Sequence, residues 1–172
     1  MRIGILSDTH DRVARTRIAV AMLQDEGAEA LIHRGDLAHP PIVAACAVLP
    51  FWFVFGNHDA DIVPLLRQAA GEFGVICLGW GDVIRLDGKR VGVAHGHMTT
   101  DVQRVLHSQP DVLLFGHSHL GSADGRQAEA LLIALIGGFA LAAWRPARLA
   151  AGLMPVAARA PVDSPVHAAH GA

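Results

Sequence analysis

The chain has 172 residues, of which 52 % are hydrophobic and 17 % charged, with a formal net charge of −2. That length suits one domain with a full core. The composition excludes a chain disordered throughout, and the charge lacks the basic surplus needed for binding by phosphate neutralisation.

Residues 2–6 read as a buried strand, with Ile3, Gly4, Ile5 and Leu6 followed by Ser7 and Asp8. Four apolar residues are too few for the core of a signal peptide, so no targeting signal is expected. Residues 12–26 show helical spacing, with Val13, Ile18, Met22 and Leu23 on one stripe and Gly27 as the stop. Residues 30–33 form a second strand. Residues 40–49 form a helix whose prolines fall in its first turn, and 51–55 a fully apolar third strand. Residues 61–73 predict a helix with Asp61 as N-cap, and 75–78 a fourth strand. Residues 82–86 and 90–94 predict a hairpin around Asp87-Gly88. A short helix over 99–107 and a buried strand over 111–115 follow. This alternation argues for an α/β fold with parallel pairing, and the hairpin makes the sheets mixed.

Residues 130–144 are uncharged but shorter than the roughly twenty a membrane span needs, so they read as buried strands or an apolar tail and no membrane partner is expected. Cys46 and Cys77 lie in apolar surroundings and read as two thiols in a reducing compartment, hence a cytoplasmic protein. Composition shifts after residue 119: the last 53 residues hold sixteen alanines against thirteen before them. Residues 1–156 are taken as one domain and 157–172, with Pro161 and Pro165, as a loose tail. Apolar residues exposed in that tail would favour a homo-oligomer.

Eleven histidines against fourteen Lys plus Arg call for a reason, and metal ligation or acid–base work is the usual one. Asp8-Thr9-His10 follows the first strand, Gly35-Asp36 the second, and Gly56-Asn57-His58-Asp59 the third. His95-Gly96-His97 and Gly116-His117-Ser118-His119 follow two later strands. Singly these are bland: Asp8 caps a helix, Asn57 fills a turn, and His10 is a surface or core histidine. Together they place Asp, Asn and His at five strand ends, and α/β sheets bind ligands beyond the carboxyl ends of their strands. Such ligands suit Mn²⁺, Fe²⁺, Ni²⁺ or Zn²⁺, and a water shared by two such ions loses its proton near neutral pH.

The ordered set D-x-H, G-D, G-N-H-D, H-G-H and G-H-x-H resembles the calcineurin-like metallophosphoesterases. The opening Met1-Arg2-Ile3-Gly4-Ile5-Leu6-Ser7-Asp8-Thr9-His10-Asp11 is similar to the small bacterial and archaeal phosphodiesterase branch that includes the VPS29-like proteins. The likeness covers about residues 1–119. It implies a four-layer α/β/β/α sandwich with two divalent metals at the strand ends. Mn²⁺ is the first choice, with Fe²⁺, Ni²⁺ and Zn²⁺ as alternatives. Asp8, His10 and His119 would hold one ion, Asn57, His95 and His117 the second, and Asp36 would bridge both. His58 would contact phosphate or protonate the leaving oxygen, with Asp59 orienting it, and His97 would touch substrate or support the ligands.

The implied activity is hydrolysis of a phosphodiester by a hydroxide bridging the two metals. The substrate would be a small diester, long nucleic acid being disfavoured by the charge. A VPS29-like interaction scaffold is the other reading, but a scaffold has no reason to keep the whole ligand set and His58. His33 and His39 match no ligand position, and His107, His167 and His170 read as surface or tail. After residue 119 the expected N-P-G-S-like turn is missing. Either a shifted reading frame replaced the C-terminal strands, or the chain diverged and residues 130–135 and 139–143 serve as edge strands.

Overall fold

The computed structural model describes residues 1–117 and the strands Leu131–Ile136 and Phe139–Trp144. His119, His167, His170 and the tail expected over 157–172 lie outside the described residues. Four strands, β1 (Ile3–Leu6), β2 (Ala30–His33), β3 (Phe51–Phe53) and β4 (Ile76–Cys77), pair in parallel. Between them run the helices α1 (Val13–Asp25), α2 (Pro40–Cys46) and α3 (Val63–Phe73). The hairpin of β5 (Gly81–Leu86) and β6 (Lys89–Ala94) turns at Asp87-Gly88, both at positive φ, and β7 (Val112–Phe115) joins β6 in parallel after α4 (Thr99–His107). Strand β9 (Phe139–Trp144) pairs antiparallel with β1, and β8 (Leu131–Ile136) pairs with β9.

The result is a six-stranded sheet, β4-β3-β2-β1-β9-β8, facing a three-stranded sheet, β5-β6-β7. Ile3, Ile5, Ile32 and Val54 from the first sheet meet Leu86, Val91, Val93 and Leu114 from the second. Alternate residues of the same strands, Leu6, Leu31, Phe51 and Phe53, face the other way and pack with Val20, Leu23, Ile42 and Leu66 of α1, α2 and α3. Helix α4 sets Val105 against Ala94 and Leu113 on the outer side of the small sheet. Both faces of β1, β2 and β3 are therefore covered, as their continuous apolar runs require, and the four layers are α/β/β/α.

Four local expectations are corrected. The buried face of α1 is Thr16, Val20 and Leu23, with Val13 packed against it, whereas Ile18 and Met22 are exposed. Helix α2 stops at Cys46 and does not reach residue 49. Asp61 caps no helix: Asn57–Ile62 is a 3₁₀ turn, and α3 starts behind it at Val63. Of the two late strands only β8 is an edge, since β9 lies between it and β1. The uncharged stretch is thus two strands in a sheet, and no helix of the described residues is long and apolar enough to cross a membrane. Cys46 and Cys77 are free thiols, Cys46 buried and Cys77 half-buried, and burial pushes the Cys46 thiol up to about 12.

Candidate metal centre

Strands β1, β2 and β3 of one sheet and β6 and β7 of the other carry Asp8, His10, Asp36, Asn57, His58, His95 and His117 just past their carboxyl ends. The backbone there is unusual. Asp8 (φ 54°), His10 (φ 43°), Asp36 (φ 58°) and His117 (φ 67°) all sit in the left-handed region. Non-glycine residues pay for that conformation, and its clustering at one site marks an arrangement imposed by the surrounding structure.

Ligand atoms of Asp8, Asp36 and His95 lie within 4.8 Å of one another, and so do those of His10, Asp36 and His58. Asp36 belongs to both groups. Its Oδ2 is 3.4 Å from His95 Nε2 and 3.9 Å from His10 Nε2, while Oδ1 accepts the backbone N–H of His58 at 2.9 Å. Asp36 is thus the carboxylate common to both groups, while His119, expected beside Asp8 and His10, lies outside the described residues. Asn57 Oδ1 lies 3.1 Å from His95 Nε2. His117 is exposed, with its ring 5.2 Å from that of His95. His97 packs between His95 at 5.3 Å and Trp80 at 5.8 Å.

The donor set fits a cation on its own geometry. His95 Nδ1 lies 2.8 Å from the Arg34 carbonyl, which can only accept, so Nδ1 carries the hydrogen. The neutral ring then turns the Nε2 lone pair toward the Asp36 carboxylate and the Asn57 amide oxygen. An imidazole lone pair, a carboxylate and an amide oxygen meet there, a set that suits a positive charge among them, whether proton or metal ion. Burial alone would lower the His95 pKa, but the Asp36 carboxylate and the Arg34 carbonyl hold it above its ordinary value. Burial likewise pushes Asp36 up, and the bonds from His95 and His58 overcome it and bring Asp36 to about 2.

Two glycines make room. A Cβ on Gly56 would stand 2.1 Å from Asp36 Oδ1 and 2.5 Å from Asp36 N. Gly35 has φ +101°, and a Cβ there would stand 2.6 Å from His95 Nδ1.

Asp59 does a different job from the one expected. Its carboxylate does not orient His58. It is taken up by the backbone N–H groups of Asp36 (2.9 Å), Leu37 (3.3 Å), Ala38 (2.7 Å) and Gly56 (2.8 Å), which tie the bend after β2 to the turn after β3. Burial pushes the Asp59 carboxyl up, against the pull of these N–H groups.

Sequence reasoning passed over Arg34, Thr9 and His33. Arg34 is buried: its guanidinium donates to the Phe115 carbonyl, and its own carbonyl holds His95. A charged residue at the end of a buried strand was the available signal. His39, by contrast, is exposed at the start of α2, and His107 is exposed on α4.

The calcineurin-like phosphoesterase superfamily domain matches residues 1–146. The chain belongs to that superfamily. A phosphodiesterase of Methanocaldococcus jannaschii is 29 % identical in an alignment 126 residues long that covers 69 % of this chain and 74 % of that protein. A solved archaeal phosphodiesterase superposes with a TM-score of 0.59 at 26 % identity, over 68 % of this chain and 73 % of its own. The calcineurin-like phosphoesterases are hydrolases and imply divalent metal ions, for which the clustered carboxylates and imidazoles are candidate ligands.

Proposed function

We propose that the protein is a phosphodiesterase acting on a small diester, with two divalent ions, Mn²⁺ foremost, held by Asp8, His10, Asp36, Asn57, His95, His117 and His119. The observation that carries this reading is the Asp36 carboxylate, shared by two separate groups of ligand atoms at one edge of the sandwich. Bound there, the ions would supply Lewis acidity toward phosphoryl oxygens and lower the pKa of a coordinated water.

The side chains have separable tasks. Asp36 is kept ionised far below neutral pH and so offers both oxygens as ligands. The imidazole of His58 stands exposed at the mouth of the site, 4.8 Å from the His10 ring and edge-on to it. Its backbone is anchored on Asp36 while its ring stays open to solvent and substrate. That placement suits a group handing a proton to the departing alkoxide oxygen. Asp59 takes no part in the chemistry and keeps the Asp36 bend in shape. The proposal takes residues 1–156 as the catalytic domain, supported by the family match over 1–146. The two free thiols support a reducing, cytoplasmic setting.

The test is hydrolysis of bis(p-nitrophenyl) phosphate and of p-nitrophenyl phosphate, with Mn²⁺ and again after chelation. Mn²⁺-dependent cleavage, faster on the diester, is the expected result. Protein that holds two Mn²⁺ ions and cleaves neither ester would overturn the proposal in favour of a VPS29-like scaffold.

A further inference from the structure

His33 is completely buried at the end of β2, between the two sheet-edge bends that carry Asp8, His10 and Asp36, and it belongs to neither group of ligand atoms. Its Nδ1 lies 3.2 Å from the backbone N of Gly35, which can only donate. Nδ1 is therefore the accepting nitrogen, and the hydrogen of the neutral ring is on Nε2. That N–H points at Thr9 Oγ1, 3.1 Å away. Having accepted from His33, the Thr9 hydroxyl is free to donate, and the Asp36 carbonyl lies 3.5 Å from it. The same carbonyl accepts the backbone N–H of His10 at 3.0 Å, and the Gly35 carbonyl accepts that of Asp8 at 3.0 Å. Thr9 is itself buried, so no solvent competes for these groups.

We propose that His33 and Thr9 are positioning residues for the metal centre. The chain Gly35 N–H to His33 to Thr9 to the Asp36 carbonyl locks the Asp8-Thr9-His10 bend to the Gly35-Asp36 bend, so that carboxylates and imidazoles on two strands stand at fixed separation. Each bend holds residues in the left-handed region, which would relax if the lock were removed. A hydrogen-bonded support behind the ligands sets metal affinity because the ligands then need not be ordered by the ion.

This inference rests on the two-metal reading, and the experiment separates the two. Mn²⁺ binding to the full chain is followed by equilibrium dialysis and by the paramagnetic resonance signal of free Mn²⁺, for wild type, Thr9→Val, Thr9→Ser and His33→Gln. Valine keeps the shape of threonine and loses the hydroxyl, whereas serine keeps the hydroxyl and loses the methyl. The expected result is an affinity about ten- to a hundredfold weaker in Thr9→Val and near wild type in Thr9→Ser. His33→Gln, which keeps a donor toward Thr9, should fall between them. Wild-type affinity in Thr9→Val overturns the proposal, as does a loss in Thr9→Ser that Thr9→Val does not show, because both are what a packing role predicts. Wild-type protein that takes up no Mn²⁺ overturns the two-metal reading itself. Melting of the metal-free variants, read alongside, shows that each compared protein is folded.

Discussion

His95 points Nε2 at Asp36 Oδ2 across 3.4 Å while its Nδ1 is held by the Arg34 carbonyl at 2.8 Å. The backbone carbonyl thus chooses the tautomer, and the carboxylate raises the ring's affinity for whichever positive charge arrives, a proton or a metal ion. The two compete for one lone pair. Mn²⁺ binding is therefore expected to release a proton at pH 6, with the release fading as pH rises through the raised His95 pKa. Asp36, at about 2, contributes none of it. Calorimetric titrations in two buffers of different ionisation enthalpy measure the count. No proton released at pH 6 would show that His95 is not a ligand.

His33 sets an acid limit on stability. Burial, with the charges of His95 and Arg34, lowers its pKa from 6.5 to about 3. The folded state then binds fewer protons than the unfolded one between those values, so its contribution is full above 6.5 and is lost as pH falls toward 3. The loss amounts to at most about 5 kcal/mol. Urea unfolding of the metal-free protein from pH 7 to pH 4 should show the fall, and His33→Gln should flatten that part of the curve. Equal slopes in both proteins would assign the acid sensitivity elsewhere.

His58 tests the division between holding metal and moving a proton. Its ring is exposed, and its nitrogen lies within ligand range of His10 and Asp36. As the general acid, His58→Ala should keep bound metal near the wild-type amount and lower kcat by about 100- to 10,000-fold. Metal analysis beside diester kinetics decides the matter. Parallel loss of metal would make His58 a ligand.

Gly56→Ala tests the packing under Asp36. The φ of Gly56 is −108°, which any residue adopts, so the damage is purely steric. The new methyl would stand 2.1 Å from Asp36 Oδ1 and 2.5 Å from the Asp36 backbone, which cannot swing aside as a long side chain can. A stability loss of about 2–4 kcal/mol is expected. Weaker Mn²⁺ binding should accompany it, measured by denaturant unfolding and dialysis. Unchanged metal affinity would show that the Asp36 carboxylate tolerates displacement.

Much of the fold was legible because β1, β2 and β3 are covered on both faces. Continuous apolar runs such as Phe51-Trp52-Phe53 announce that environment, and Asp87-Gly88 announces the hairpin. The stripe of α1 was misread at Ile18 and Met22 because apolar spacing tells which residues share a face but not which of two neighbouring faces meets the sheet. The start of α3 was misread because the turn 57–62 is a 3₁₀ segment shaped by Asp59 and Asp36 rather than by its own N-cap.

By itself the sequence determined the chemistry at the strand ends. Asp, Asn and His behind five apolar runs reach one edge wherever those strands run in parallel, since parallel strands place all their carboxyl ends together. The tertiary structure alone decided how those groups face one another. It made Asp36 common to two groups of ligand atoms, turned Asp59 onto four backbone N–H groups, and inserted His33 and Thr9 between the two bends. Apart from the bond between Gly56 and Asp59, these are contacts between residues some twenty or more positions apart. They depend on left-handed backbone and close approach at glycine, which arise only when strands from separate parts of the chain pack side by side.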